Sequence, residues 1–182
     1  MSCEKFEKSP SICQKDDWKD EFEKKCEEQN CLRNAIIMAA NFDKRKMPDY
    51  QYRVRRKKMK EFGEILLKIE NEIKTAKNFD NLLKIISSKK IDGIGKLTLY
   101  DTATRIGVYL KIYPEKIYLH AGTRIGAENL LGKNKIKGKK YIEKEFLIEN
   151  CPEHYLSEFQ NFSPAYIENI LCIRKNDYKN IV

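Results

Sequence analysis

The chain has 182 residues, 41% apolar and 35% charged, with a formal net charge of +9. That length suits one domain, or one domain with a small helical annex, and the supply of Leu, Ile, Phe and Tyr excludes disorder throughout. The longest apolar run, AIIMAA at 35–40, falls far short of the ~18 residues of a spanning helix, and the N-terminal MSCEKFEKSP lacks the apolar centre of a secretory signal, so the expectation is a cytoplasmic protein with no membrane partner.

A pI near 9.1 favours polyanionic partners, because a basic surface raises their local concentration. The six cysteines include no Cys-x-x-Cys pair, and only His120 and His154 could join them. No metal site and no cofactor is therefore expected, and the cysteines read as free thiols.

Residues 1–15 read as loose, with Ser9-Pro10-Ser11 as a breaker. At 16–27, Trp18, Phe22 and Cys26 stand at i, i+4 and i+8, one helical stripe. Asn30 is placed to cap a second helix running to about Phe42, with Leu32, Ile36 and Ala39 or Ala40 inward. A basic break, DKRKMP, follows at 43–48. Residues 49–77 then read as one long helix, whose Phe62, Leu66, Ile69 and Ile73 recur at threes and fours. Its first half holds RVRRKKMK, with six basic residues in eight. Such a run is either a solvated helix face or a nucleic-acid patch. The candidates for phosphate contact there are Arg53, Arg55, Arg56, Lys57 and Lys58.

A short helix is expected at 79–90 and another at 97–112, joined by IDGIGK. Pro114 opens a connector, and 122–131 is a further helix with Gly132 as its stop. Residues 133–140 (KNKIKGKK) form a basic loop with five lysines. Residues 141–148 suit a strand or a helical turn equally. Pro152 and Pro164 stand near helix starts, where the missing N–H matters little, and Ser163 reads as a cap. The fold class expected is all-α or nearly so. Its segments are 1–77 with the basic run 53–60, 78–132 around the glycine turn, and 133–182 packing on the same domain.

Hydrophobic-Gly-hydrophobic-Gly between two helices (Ile91, Gly93, Ile94, Gly95) resembles the helix-hairpin-helix, with Ala103 and Ile106 on the inward face of the second helix. Glycines permit backbone conformations closed to other residues and let a phosphate approach the main chain. The N–H groups of the following helix then point at that phosphate. Gly93, Gly95, Lys96 and Thr98 are the candidate contacts, Lys96 as cation and Thr98 as hydroxyl donor. From 79 to 132 the chain is similar to the helix-hairpin-helix superfamily of DNA glycosylases, through Pro114, Thr123-Arg124-Ile125-Gly126 and Leu131-Gly132. The resemblance implies duplex DNA as partner. The family's catalytic lysine would fall on Leu97 and its aspartate on Lys116 or Leu119, and the four-cysteine iron–sulfur loop of some members has no counterpart. The resemblance therefore implies a related fold without that chemistry.

Three residues are candidate unorthodox catalysts. Glu115 is the acid nearest the aspartate position. His120 either exchanges protons or caps a helix start. Asp101 stands four residues before Arg105, a spacing that also makes a solvent-side ion pair. The leading expectation is a DNA-binding protein that grips backbone phosphate. A glycosylase or lyase and a helical protein-interaction module are the alternatives. The word TRIG occurs twice, at 104–107 and 123–126. Its isoleucines are expected in the core and its arginines outside, with the two helices packed across Gly107 and Gly126.

Overall fold

A computed structural model describes residues 31–40 and 54–179. The stripe at 16–27, the Asn30 cap, the break at 43–48 and Arg53 lie outside the described residues. Among the described residues the regular structure is helical but for one pair of two-residue strands, so the all-α class holds. The chain divides into two compact units between Tyr113 and Pro114. That boundary cuts through the segment expected at 78–132, and residues 133–182 belong with 114–132.

The first unit contains α1 (Leu32–Ala40), α2 (Arg56–Lys68), α3 (Glu70–Lys74), α4 (Phe79–Ser88) and α5 (Lys96–Leu110). α5 is packed by α1 and α4, and α2 lies on α1. Ala103, Ile106 and Val108 of α5 are fully buried, as are Ile36 of α1 and Leu82 and Ile86 of α4. The Val, Leu and Ile side chains among these contribute about 1.5–3 kcal/mol each on leaving water. Phe79 meets Tyr100 edge to face with centroids 5.5 Å apart. The single helix expected over 49–77 is broken at Ile69, which leaves helical geometry at φ −110° and bonds its N–H back to Leu66. Asn78 caps α4, its side chain accepting from the Asn81 N–H at 2.9 Å.

The second unit contains β1 (Ile117–Tyr118), α6 (Ala121–Leu131), α7 (Lys133–Ile136), β2 (Tyr141–Ile142), α8 (Lys144–Asn150), a 3-10 helix (Glu153–Glu158) and α9 (Pro164–Ile173). β1 and β2 pair antiparallel, Ile117 with Ile142 and Tyr118 with Tyr141. The ambiguous 141–148 stretch is thus a strand followed by a helix. α6 lies along α9 over Ala127, Leu130, Ile167, Ile170 and Leu171, all buried. Ser163 caps α9 by accepting from the Tyr166 N–H at 3.3 Å, with Pro164 in the first turn. Glu158 is held under this core by Arg174 at 2.6 Å and by the Tyr178 hydroxyl at 3.1 Å. A buried carboxylate is tolerable only with such partners.

The two TRIG copies differ in every role but one. Ile106 is in the core, whereas Ile125 is 44% exposed. Arg105 does not project outward. It is 1% exposed, and its Nη1 donates to the Ala39 carbonyl at 3.2 Å. That carbonyl belongs to the buried face of α1, so the guanidinium has an acceptor where it leaves water. Arg124 is half-buried, donating to the carbonyls of Ile136 and Lys139 and standing 3.6 Å from Glu128. The glycines share close backbone approach, but not to each other. Gly107 faces the Ile112 carbonyl where the chain turns back at Lys111, and Gly126 faces Leu171 of α9.

Candidate nucleic-acid interface

Residues 91–95 form a tight turn between α4 and α5, closed by the Ile94 N–H to the Ile91 carbonyl at 3.2 Å. Ile94 is buried and anchors the turn from within, while Gly93, Gly95 and Lys96 face solvent. Gly93 has φ +84° and is the residue the turn needs as glycine. Gly95 has φ −83°, an ordinary value, and a Cβ there would meet nothing within 4 Å. A residue with a Cβ is therefore accepted at Gly95 without backbone strain or a clash. Gly95 is the N-cap of α5 and makes no side-chain cap bond. A helix leaves its first N–H groups without intrahelical carbonyls, so these donors stand at the turn beside a bare backbone. Thr98 drops out of the surface set, because it is only 8% exposed.

The basic run and the glycine turn meet. A Cβ on Gly93 would stand 3.5 Å from Cγ of Lys58, so the aliphatic stem of Lys58 lies across the turn. Its ammonium is 3.0 Å from Glu61. Arg55, Arg56 and Lys57 in the same helical turn are exposed and make no ion pair among the described residues. A shallow concavity along the turn is lined by Lys90 and Asp92 with Ile91 to Gly95. Lys90 is a cation that the motif reading passed over, although the SSKK before the turn signals it. Its neighbour Lys89 is engaged with Glu72 at 3.7 Å. Asp92 is an exposed acid in the same concavity, and it opposes an anion there.

The candidate catalysts are divided between the units: Asp101 lies in the first, and Glu115 and His120 in the second. The Asp101–Arg105 spacing does not lie on the solvent side as expected, since Arg105 is buried and Asp101 is half-buried. Glu115 is exposed in the connector. His120 stands at the N-cap of α6 without a side-chain cap bond. Its ring stacks on Tyr118 at 6.2 Å, and its Nε2 is 3.7 Å from the buried Glu168 carboxylate. Burial lowers its pKa from 6.5 to about 4, so it is neutral at pH 7. Desolvation here outweighs the pull of the neighbouring carboxylate.

The linkage has a definite sign. The unfolded chain takes up the His120 proton near pH 6.5 and the folded chain only near pH 4. The resulting stability is whole above pH 6.5 and is lost as pH falls toward 4. The expected result is a steeper fall in denaturation midpoint over that window for the parent than for His120→Gln. Parallel pH profiles would refute the assignment.

Cys31, Cys151 and Cys172 are free thiols, and Cys3, Cys13 and Cys26 lie outside the described residues. Cys151 is pushed up to about 11 by burial and the charge of Glu158, the opposite of an activated nucleophile. Among the described residues, no group of three His, Cys, Asp or Glu is placed to hold a metal, and no helix is long and apolar enough to cross a membrane. Comparison of the chain with family models, with curated proteins and with solved structures yields no match.

Proposed function

We propose that this protein binds duplex DNA by its backbone, the 91–95 turn and the start of α5 forming a helix-hairpin-helix phosphate grip. The observation that carries the reading is the contact of Lys58 with Gly93. It joins two features that are far apart in sequence, a bare glycine backbone at a helix start and a dense run of cations, on one surface of the first unit. Backbone N–H groups and lysines at such a place suit phosphate oxygens, and they carry no base information. Binding is therefore sequence-tolerant and salt-sensitive. The reading is of a binding protein rather than a glycosylase or lyase, because Leu97 and Lys116 or Leu119 stand where that chemistry needs a lysine and an aspartate.

Gly95→Val and Lys96→Ala test it. The valine places methyl groups where a phosphate would approach, at a φ that valine accepts, and loses no more than a few tenths of a kcal/mol to about 1 kcal/mol of N-cap preference. Lys96→Ala removes one charge-assisted contact and should weaken duplex binding about fivefold or more. Both variants should keep the parent's helical circular dichroism. Parental affinity for duplex in both folded variants would make the turn a structural joint and the protein an interaction module.

A further inference from the structure

We infer that the second unit carries a separate contact surface for single-stranded nucleic acid, built from the lysines of residues 133–140 and the exposed ring of Tyr141. This site does not depend on the duplex grip of the first unit.

Five of the eight residues at 133–140 are lysine, and all five are exposed. Among the described residues none of them makes an ion pair, and Lys139 lies only over the ring of Phe146, at 4.9 Å. The unit has acids available, with Glu143, Glu145, Glu149 and Glu153 just downstream, yet the chain keeps them off the lysines. Like charges so close repel, and a loose loop would spread them. The segment is not the loop expected from its sequence, since Lys133–Ile136 is helix α7, and it is braced against that repulsion. Ile136 is fully buried as its anchor. Arg124 donates from Nη1 to the Ile136 carbonyl at 3.5 Å and from Nη2 to the Lys139 carbonyl. The Leu119 N–H bonds the Lys140 carbonyl at 3.0 Å, and the β1–β2 pair closes the base. Gly138, at φ +76° with open space around it, makes the bend. The carbonyls of Ile136, Lys139 and Lys140 are thus held by donors of the same unit, and the exposed lysine side chains stand on a braced backbone.

The chemistry beside the array selects the partner. Tyr141 follows the last lysine and is 41% exposed, with the Lys116 ammonium 4.3 Å from its ring centroid. An exposed aromatic at the end of a row of cations is the arrangement that stacks an unpaired base while the lysines follow the phosphates. An anionic bilayer fits less well. The apolar side chain of the segment, Ile136 at the end of α7, is buried in the core and is not available to insert.

The test is fluorescence anisotropy of the full chain with labelled oligo(dT), across a salt series. Tyr141→Ala should bind oligo(dT) at least about fivefold more weakly, as for one lost stack, and Tyr141→Phe should bind like the parent. Lys137→Ala, Lys139→Ala and Lys140→Ala together should reduce the slope of log affinity on log salt by about two units on single strands. The same losses should appear in a Gly95→Val, Lys96→Ala background, which separates this site from the turn. A folded Tyr141→Ala protein with parental affinity, or a triple variant with parental slope, would overturn the proposal. So would a triple variant that loses phosphatidylserine vesicles but holds oligo(dT) like the parent.

Discussion

Gly126→Ala should destabilise the second unit by about 3 kcal/mol or more, at the upper end of what an added methyl does in a packed core. A Cβ at this position would overlap the carbonyl oxygen and carbon of Leu171, with its Cα 3.1 Å away. These are backbone atoms in the last turn of α9, so no rotamer change relieves the clash. The two helices must move apart, and Ala127, Leu130, Ile170 and Leu171 lose their packing together. Gly122→Ala is the matched comparison. There the new methyl meets Sγ of Cys172, a side chain that can turn away, so its effect should be clearly smaller. Chemical denaturation followed by circular dichroism orders the two. A Gly126→Ala protein within 1 kcal/mol of the parent would mean that α6 and α9 do not touch through this glycine.

The largest expected effect on binding is that of Arg55→Ala, Arg56→Ala and Lys57→Ala combined. The three side chains are exposed at the start of α2, and the next residue of the run, Lys58, lies against Gly93. If all three neutralise phosphates, the slope of log affinity on log salt for duplex DNA shrinks by up to about three units. At 0.1 M salt that corresponds to a loss of up to two to three orders of magnitude. Folding should be unaffected, since none of the three is buried. An unchanged slope would make the run a solvated helix face, whatever the turn does.

Much of the helical scaffold was legible because its signals are local. Ser163 caps its helix through the third-following N–H group, and Gly132 stops α6 with φ +91°. Phe62, Leu66 and Ile73 are inward, as their spacing requires. The glycine turn was readable for the same reason, since Ile91-Asp92-Gly93-Ile94 closes on itself. Which glycine carries the unusual backbone was not readable. Gly93 and Gly95 are equivalent as letters, and only the path of the chain into α5 gives the positive φ to Gly93.

The sequence by itself determined the helical class, the turn and the density of cations. Tertiary structure alone decided what each helix face meets. Arg105 and Arg124 stand in the same four-letter word. One is buried where α1 offers it the Ala39 carbonyl, and the other braces the lysine-rich segment after α6. Ile106 and Ile125 part in the same way, one inside and one in water. Periodicity says that a face exists, and long-range packing says which face is covered. The same holds for the candidate site. The basic run and the turn are some thirty-five residues apart, and nothing local brings Lys58 onto Gly93. Their meeting is decided by how α2, α1 and α5 bury their apolar sides, because the free energy of that burial is far larger than the repulsion among a few exposed charges.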